Sequence, residues 1–157
     1  MISIIAAIGE NRELGKDNKL IWHLKEDMQY FKEMTMNKKV VMGLKTYLSL
    51  PGVLKNREYL VLTTTMKSLP NAQVFHDFDS LLEYLESLEE EVMIIGGASV
   101  YKLFLPYADY LYLTEIMAQA EADAYFPEVK EEEFKLVRKR PAHENNIDFS
   151  FNVYEKR

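Results

Sequence analysis

The chain has 157 residues, 48% of them hydrophobic and 28% charged, proportions that exclude a fibrous or disordered protein and suit one compact domain over 1–157. Its 25 acidic against 19 basic side chains leave a net charge of −6, which gives no general electrostatic footprint for nucleic acid. The absence of cysteine excludes disulfides and thiolate metal sites, and is compatible with a reducing cytoplasm.

Ile2–Ile8 is an apolar, β-branched run. It lacks a basic leader and reaches Gly9-Glu10-Asn11-Arg12 too soon for a signal peptide or a membrane span, so it reads as a buried strand. From Gly9 to Ile21 no period is visible. The residues there (Glu10, Asn11, Arg12, Gly15, Lys16, Asp17, Asn18 and Lys19) are those of turns, and a connection this long is commonly a lid. Trp22, the only tryptophan, follows it.

Helical spacing covers Lys25–Thr35, followed by a strand at Lys39–Met42, a short helix near Leu44–Leu50 and strands at Tyr59–Thr63 and Gln73–Phe75. A helix over Asp79–Leu88 then precedes a strand at Val92–Ile95, a helix over Ser99–Leu105 and strands at Tyr110–Ile116, Phe134–Arg138 and Phe149–Tyr154. Strands alternating with helices argue for an α/β fold with a mainly parallel eight-stranded sheet and right-handed crossovers. The last two runs lack a crossover helix and are expected to form an antiparallel hairpin through Pro141–Asp148. The acidic triplets Glu89–Glu91 and Glu131–Glu133 read as solvated surface.

One helical position breaks the pattern. Leu24, Met28, Phe31 and Met34 share a face, and Asp27 projects between Phe31 and Met34 on it, while Lys25, Glu26, Gln29, Lys32 and Glu33 take the opposite side. An acid placed among apolar residues is costly unless paired, and desolvation raises its pKa, so Asp27 is expected to face a pocket. The competing reading is that Asp27 lies in the first helical turn and serves the positive end of the dipole.

Two junctions run from strand through glycine into helix. Val92–Ile95 leads through Gly96-Gly97 into Ala98-Ser99-Val100-Tyr101, and Val40-Val41-Met42-Gly43 leads into Leu44-Lys45-Thr46-Tyr47. Glycine lets the backbone approach a ligand, and the free N–H groups of a helix start point at negative charge, so the pair suits a pyrophosphate. A plain tight turn remains the alternative. Neither junction matches the dinucleotide fingerprint or the phosphate-binding loop.

Together these residues resemble dihydrofolate reductase, in order and spacing over essentially the whole chain. The resemblance rests on Ile2–Ala7, Trp22-His23-Leu24, Asp27, Phe31-Lys32, Thr35, Val41-Met42-Gly43, Thr46, Ser49, Leu54, Asn56-Arg57, Ile95-Gly96-Gly97 with Val100-Tyr101, Leu113-Thr114, and Asp123 before Phe126-Pro127. It implies a cytoplasmic monomer of one-carbon metabolism and an antifolate target, with no metal, nucleic acid or membrane partner. Its reaction would be hydride transfer from NADPH to C6 of 7,8-dihydrofolate, with protonation at N5, giving tetrahydrofolate.

By that resemblance Asp27, Trp22 and Thr114 would carry the chemistry: Asp27 would bind the pterin 2-amino and N3 side, Thr114 would support it, and Trp22 would help place a water. Ile5, Ala6, Met28, Phe31, Lys32, Leu50, Leu54 and Ile95 would line the substrate site, and Arg57 would clamp the glutamate α-carboxylate. The cofactor would lie against Ala7, Leu14, Gly15, Leu20, Gly43, Lys45, Thr46, Thr63, Thr64, Gly96, Gly97, Ala98, Ser99, Val100 and Tyr101, with a cis peptide between the paired glycines. The Gly9–Leu24 loop would close over the nicotinamide, steadied by Asp123.

Several positions depart from the family pattern. Ile21 stands in place of a proline, as do Lys25 and Lys55; Leu44 and Ser99 stand where many relatives have arginines facing the cofactor. Lys45, Thr63, Thr64 and Lys67 remain as phosphate contacts, and NADPH is expected over NADH. Two other functions stay in view: a pterin- or nucleotide-binding module with little turnover, and a pyrimidine reductase of riboflavin synthesis, against which the Asp27 helix and Arg57 speak.

Overall fold

A computed structural model of the chain describes residues 1–17, 19–50 and 55–157. Among the described residues, eleven strands and four α-helices follow in the order β1 (Ile2–Ile8), β2 (Glu13–Lys16), β3 (Lys19–Leu20), α1 (Lys25–Thr35), β4 (Lys39–Gly43), α2 (Leu44–Ser49), β5 (Glu58–Leu62), β6 (Ala72–Phe75), α3 (Phe78–Glu86), β7 (Val92–Gly96), α4 (Ala98–Phe104), β8 (Tyr110–Ile116), β9 (Ala124–Tyr125), β10 (Phe134–Glu144) and β11 (Ile147–Lys156). A single 3₁₀ turn, Leu105–Tyr107, follows α4.

Eight strands form one sheet in the order β10-β11-β8-β1-β7-β4-β5-β6. From β8 through β6 every pairing is parallel; β11 joins β8, and β10 joins β11, antiparallel. The central strands are covered on both faces, which is why they read as unbroken apolar runs: Ile4, Val41, Met42, Met93 and Ile94 are fully buried. One cluster packs Leu81, Leu85, Val100 and Phe104 on one side of the sheet, and a second packs Phe31, Met34 and Tyr47 around Ile5, Val61 and Met93.

Most elements fall within two residues of their expected bounds, but the lid and the last hairpin differ. The stretch after Gly9 contains β2 and β3, which with β9 make a separate three-stranded sheet. Strands of two to four residues are too short for alternation to register, so the sequence there shows only turn chemistry. The expected antiparallel hairpin through Pro141–Asp148 forms, but its strands run further than the apolar runs of the sequence. Strand β10 continues to Glu144, and the chain reverses at Asn145-Asn146, both at positive φ (54° and 61°), a pair that matches the twist of the flanking strands. Pro141 pairs with Ser150 inside β10, tolerated because β10 is the sheet edge and the missing N–H costs no ladder bond on the open side.

Candidate active site

Strands β1, β7 and β4 lie side by side at the centre of the sheet, and β4 and β7 lead at their carboxyl ends directly into α2 and α4, the edge where ligands of open α/β sheets bind. On one side stands Asp27. The residues expected on the solvated side of α1, Lys25, Glu26, Gln29, Lys32 and Glu33, are all exposed, and the helix turns Asp27 inward. Thr114, which lies beside Ala7 in the β1–β8 ladder, donates its hydroxyl to Asp27 Oδ1 at 2.6 Å. Burial pushes the Asp27 carboxyl above its ordinary value, the Thr114 bond pulls it back in part, and the charge of Glu144 pushes it up further. The acid is therefore desolvated, and among the described residues its partner is a neutral donor, with no cation paired to it.

Around it the expected substrate residues divide by exposure. Ile5 and Ala6 are buried in β1; Phe31, Leu50 and Ile95 are half-buried against the second cluster; Met28 is 48% exposed. Leu54 lies outside the described residues. Trp22 is half-buried with Ala7 against Leu24, Ile116, Phe149 and Phe151, at the end of the lid nearest the acid. Lys32 is exposed, and its backbone carbonyl accepts from Arg57 Nη2. Arg57 is also held through Nε by Thr35 Oγ1 at 3.2 Å and through Nη1 by the Lys55 carbonyl at 2.7 Å. The guanidinium is thus fixed in direction at the far end of α1.

The glycine junctions form the other side. The N-cap residues Gly43 of α2 and Gly97 of α4 offer no side chain to the first amides, so the N–H groups of both helix starts remain available. The junctions interlock: a Cβ on Gly43 would meet Val100 Cγ2 at 3.2 Å, and one on Gly97 would meet Thr46 Oγ1 at 3.5 Å. Strand β7 slips by one residue at Ile95 relative to β4, and the Gly96–Gly97 peptide is cis, as the resemblance implies. Gly96 has φ +124°, which demands glycine, and Tyr101 packs against it while donating its buried hydroxyl to the Ile5 carbonyl at 2.8 Å. Ala98 is half-buried and Ser99 exposed at the same helix start.

Lys45 and Thr64 are exposed at this end, whereas Thr63 is buried and its hydroxyl is 3.2 Å from that of Thr65. Uncapped amides with exposed cationic and hydroxyl side chains are the donor set a phosphorylated dinucleotide needs, so these residues fit NADPH.

The lid is stitched to the loop after β8. Asp123 Oδ2 accepts the Asp17 N–H at 3.0 Å, and the Asp123 N–H donates to the Gly15 carbonyl at 3.1 Å, the contact expected of Asp123. Within the lid Leu14 packs on the main core, while Leu20 is 57% exposed. Sequence reading missed Glu13. Its carboxylate is 1% exposed and accepts the N–H groups of Asn11 at 2.7 Å and Ala120 at 2.9 Å, tying the lid to the distant loop. Burial would raise its pKa, but the backbone donors, Ala120 first, outweigh that and hold it below the ordinary value. Its signal in the sequence is one acid among many.

Comparison with known proteins bears on this arrangement. The sequence profile of the dihydrofolate reductase family matches residues 1–156. The chain is 39% identical over 161 residues to a dihydrofolate reductase of Bacillus subtilis, covering 100% of this chain and 95% of that protein. It is 41% identical over 129 residues to a type 3 dihydrofolate reductase of Salmonella typhimurium, covering 82% and 79%. Among solved structures, Enterococcus faecalis dihydrofolate reductase complexed with NADP(H) and RAB-propyl superposes with a TM-score of 0.91 at 30% identity, over 99% of this chain and 96% of that one.

Proposed function

Because the chain belongs to the dihydrofolate reductase family, an oxidoreductase reducing dihydrofolate to tetrahydrofolate with NADPH, we propose that Asp27 is the residue that grips and readies the substrate. The observation that carries this reading is a carboxylate on the apolar side of α1, raised in proton affinity by burial and, among the described residues, hydrogen-bonded by Thr114 alone. A desolvated acid with unused acceptor capacity suits the amino and ring N–H donors of a pterin, and its negative charge favours the protonated ring. When bound, NADPH would supply the hydride to C6 and a proton would be added at N5, so that the N5=C6 double bond becomes a single bond.

The chain's own groups do the positioning. Phe31, Leu50, Ile95 and Met28 wall the ring system, Arg57 takes the α-carboxylate at the far end, and Trp22 covers the acid from the lid side. Gly43, Gly97 and the helix starts they cap receive the pyrophosphate, with Lys45, Thr46 and Thr64 beside it. A lid bound through Glu13 and Asp123 excludes water from the cleft. We further read residues 1–157 as one domain, acting as a cytoplasmic monomer without nucleic-acid or membrane partners; among the described residues no helix is long and apolar enough to cross a membrane.

The test is kinetic. Asp27→Asn is expected to lower kcat/KM for dihydrofolate at neutral pH by about a hundredfold or more, and to regain part of that rate in acid, where solution protonates the substrate. Neutral-pH rates equal to those of the parent protein would refute the assignment.

A further inference from the structure

Helix α1 carries Asp27 in its first turn, and that turn lacks a cap of its own: Leu24, the N-cap residue, offers no acceptor. The acceptor comes from the far hairpin. Glu144, the last residue of β10, spans the gap, its Oε2 accepting the Lys25 N–H at 2.7 Å and its Oε1 the Glu26 N–H at 3.0 Å. These are two of the amides a helix start leaves without partners. One carboxylate thus replaces the local cap and ties the first turn to a segment 118 and 119 residues away.

We propose that Glu144 is a positioning residue for Asp27, clamping the first turn of α1 to the β10–β11 hairpin and setting a second negative charge against the pterin-binding acid. Its catalytic consequence rests on the role given to Asp27 above. Burial is the first cause of the raised Asp27 pKa, and among the surrounding carboxylates it is Glu144 whose charge adds to it. Glu144 itself is held below the ordinary carboxylate range by the Glu26 and Lys25 amides, so it stays charged where Asp27 begins to take a proton.

The other charged and titratable groups nearby are otherwise engaged. Lys25 adds a cation beside Glu144; Glu26 is turned toward Arg140, 4.0 Å away; His143 Nδ1 and Asp148 Oδ1 lie 2.6 Å apart on the hairpin. Arg138 and Arg140 bear on Tyr30, one turn further along α1, and Tyr101 is buried against Ile5. Glu115, beside Thr114 on β8, is held by Asn152 and Tyr154.

The test follows the Asp27 carboxyl directly, by its carbon resonance against pH in the ligand-free protein. Glu144→Gln removes the charge and one acceptor, and is expected to lower the Asp27 midpoint by roughly half a pH unit, the size of one partly screened charge nearby. Glu26→Gln, an equal loss of charge on the solvated face, is expected to leave it in place. The acid limb of the kcat/KM profile should move with Glu144→Gln, and the movement should vanish in an Asp27→Asn background. An unmoved resonance midpoint overturns the inference, as does an equal fall with Glu26→Gln. A moved midpoint together with full neutral-pH turnover in Asp27→Asn supports the Glu144 contact and refutes the role given to Asp27.

Discussion

In the function proposed above, pterin recognition on the α1 side is concentrated in one half-buried carboxylate with one hydroxyl donor, whereas cofactor recognition at the glycine junctions is spread over uncapped amides and exposed side chains. The difference follows from dielectric. A charge taken out of water interacts strongly with its few neighbours and depends on each of them, while contacts at an open, hydrated surface are individually weak and replaceable. The same contrast bears on Leu44 and Ser99, where the family resemblance implies arginines facing the cofactor: two contacts are lost from a spread-out set, whereas on the substrate side the proposed grip rests on Asp27.

The exception on the cofactor side is Gly96, where backbone and packing both decide. Its φ of +124° is a glycine conformation, and a Cβ would lie 3.3 Å from the Tyr101 ring. Gly96→Ala should cost about 1–3 kcal/mol. A melting temperature lowered by roughly 5 °C or more, with a large loss of NADPH affinity, is the expected result. If both stay at parent values, the junction is not the rigid element described here.

The next largest effect tests the concentrated side. Thr114→Val removes the bond that lowers the Asp27 pKa, so the Asp27 midpoint should rise and kcat/KM for dihydrofolate should fall about tenfold to a hundredfold, the range for a hydrogen bond to a charged group. A midpoint that stays or falls in this variant would show that the hydroxyl does not act on the acid.

Arg57→Lys keeps the charge and loses the fork fixed by Thr35, Lys32 and Lys55. Its KM for dihydrofolate should rise about tenfold with kcat nearly unchanged, corresponding to about 1.4 kcal/mol of uniform binding. A fall in kcat alone would place Arg57 in the chemistry instead.

Leu44→Arg should have the smallest effect. Leu44 is half-buried against the second core cluster, so an arginine there would lay its stem along the same surface and extend its head to solvent. We expect NADPH to bind roughly twofold to fivefold tighter, within the range of an exposed ion pair, and NADH to be unchanged. Equal tightening of both would remove the adenosine 2′-phosphate from the explanation.

The sequence made the concentrated side legible because helical periodicity exposes a misplaced acid: Asp27 stands out against Leu24, Phe31 and Met34. The sheet was legible because buried parallel strands are written as apolar runs. Thr114 was placed beside Asp27 only through the family resemblance, since nothing local in β8 marks it. Glu13 and Glu144 were illegible for a physical reason: their partners, Ala120 and the α1 amides, lie more than a hundred residues away and are backbone groups that carry no residue signature. The lid strands were hidden by their length, and the continuation of β10 to Glu144 by Pro141, a residue that reads as a turn.

The central claim is that Asp27 is held in desolvating surroundings for the substrate and at the expense of the fold. Its folded-state pKa is raised above the ordinary 3.8, so ionisation costs stability as pH climbs from that value through the folded one, and the full cost is present above both. Thermal unfolding and turnover of Asp27→Asn, measured side by side, therefore test it most directly. At pH 7 the account predicts a higher melting temperature than the parent together with the loss of dihydrofolate reduction, the stability gain disappearing below the ordinary carboxyl pKa. A variant that melts no higher and still turns over at the parent rate would contradict it.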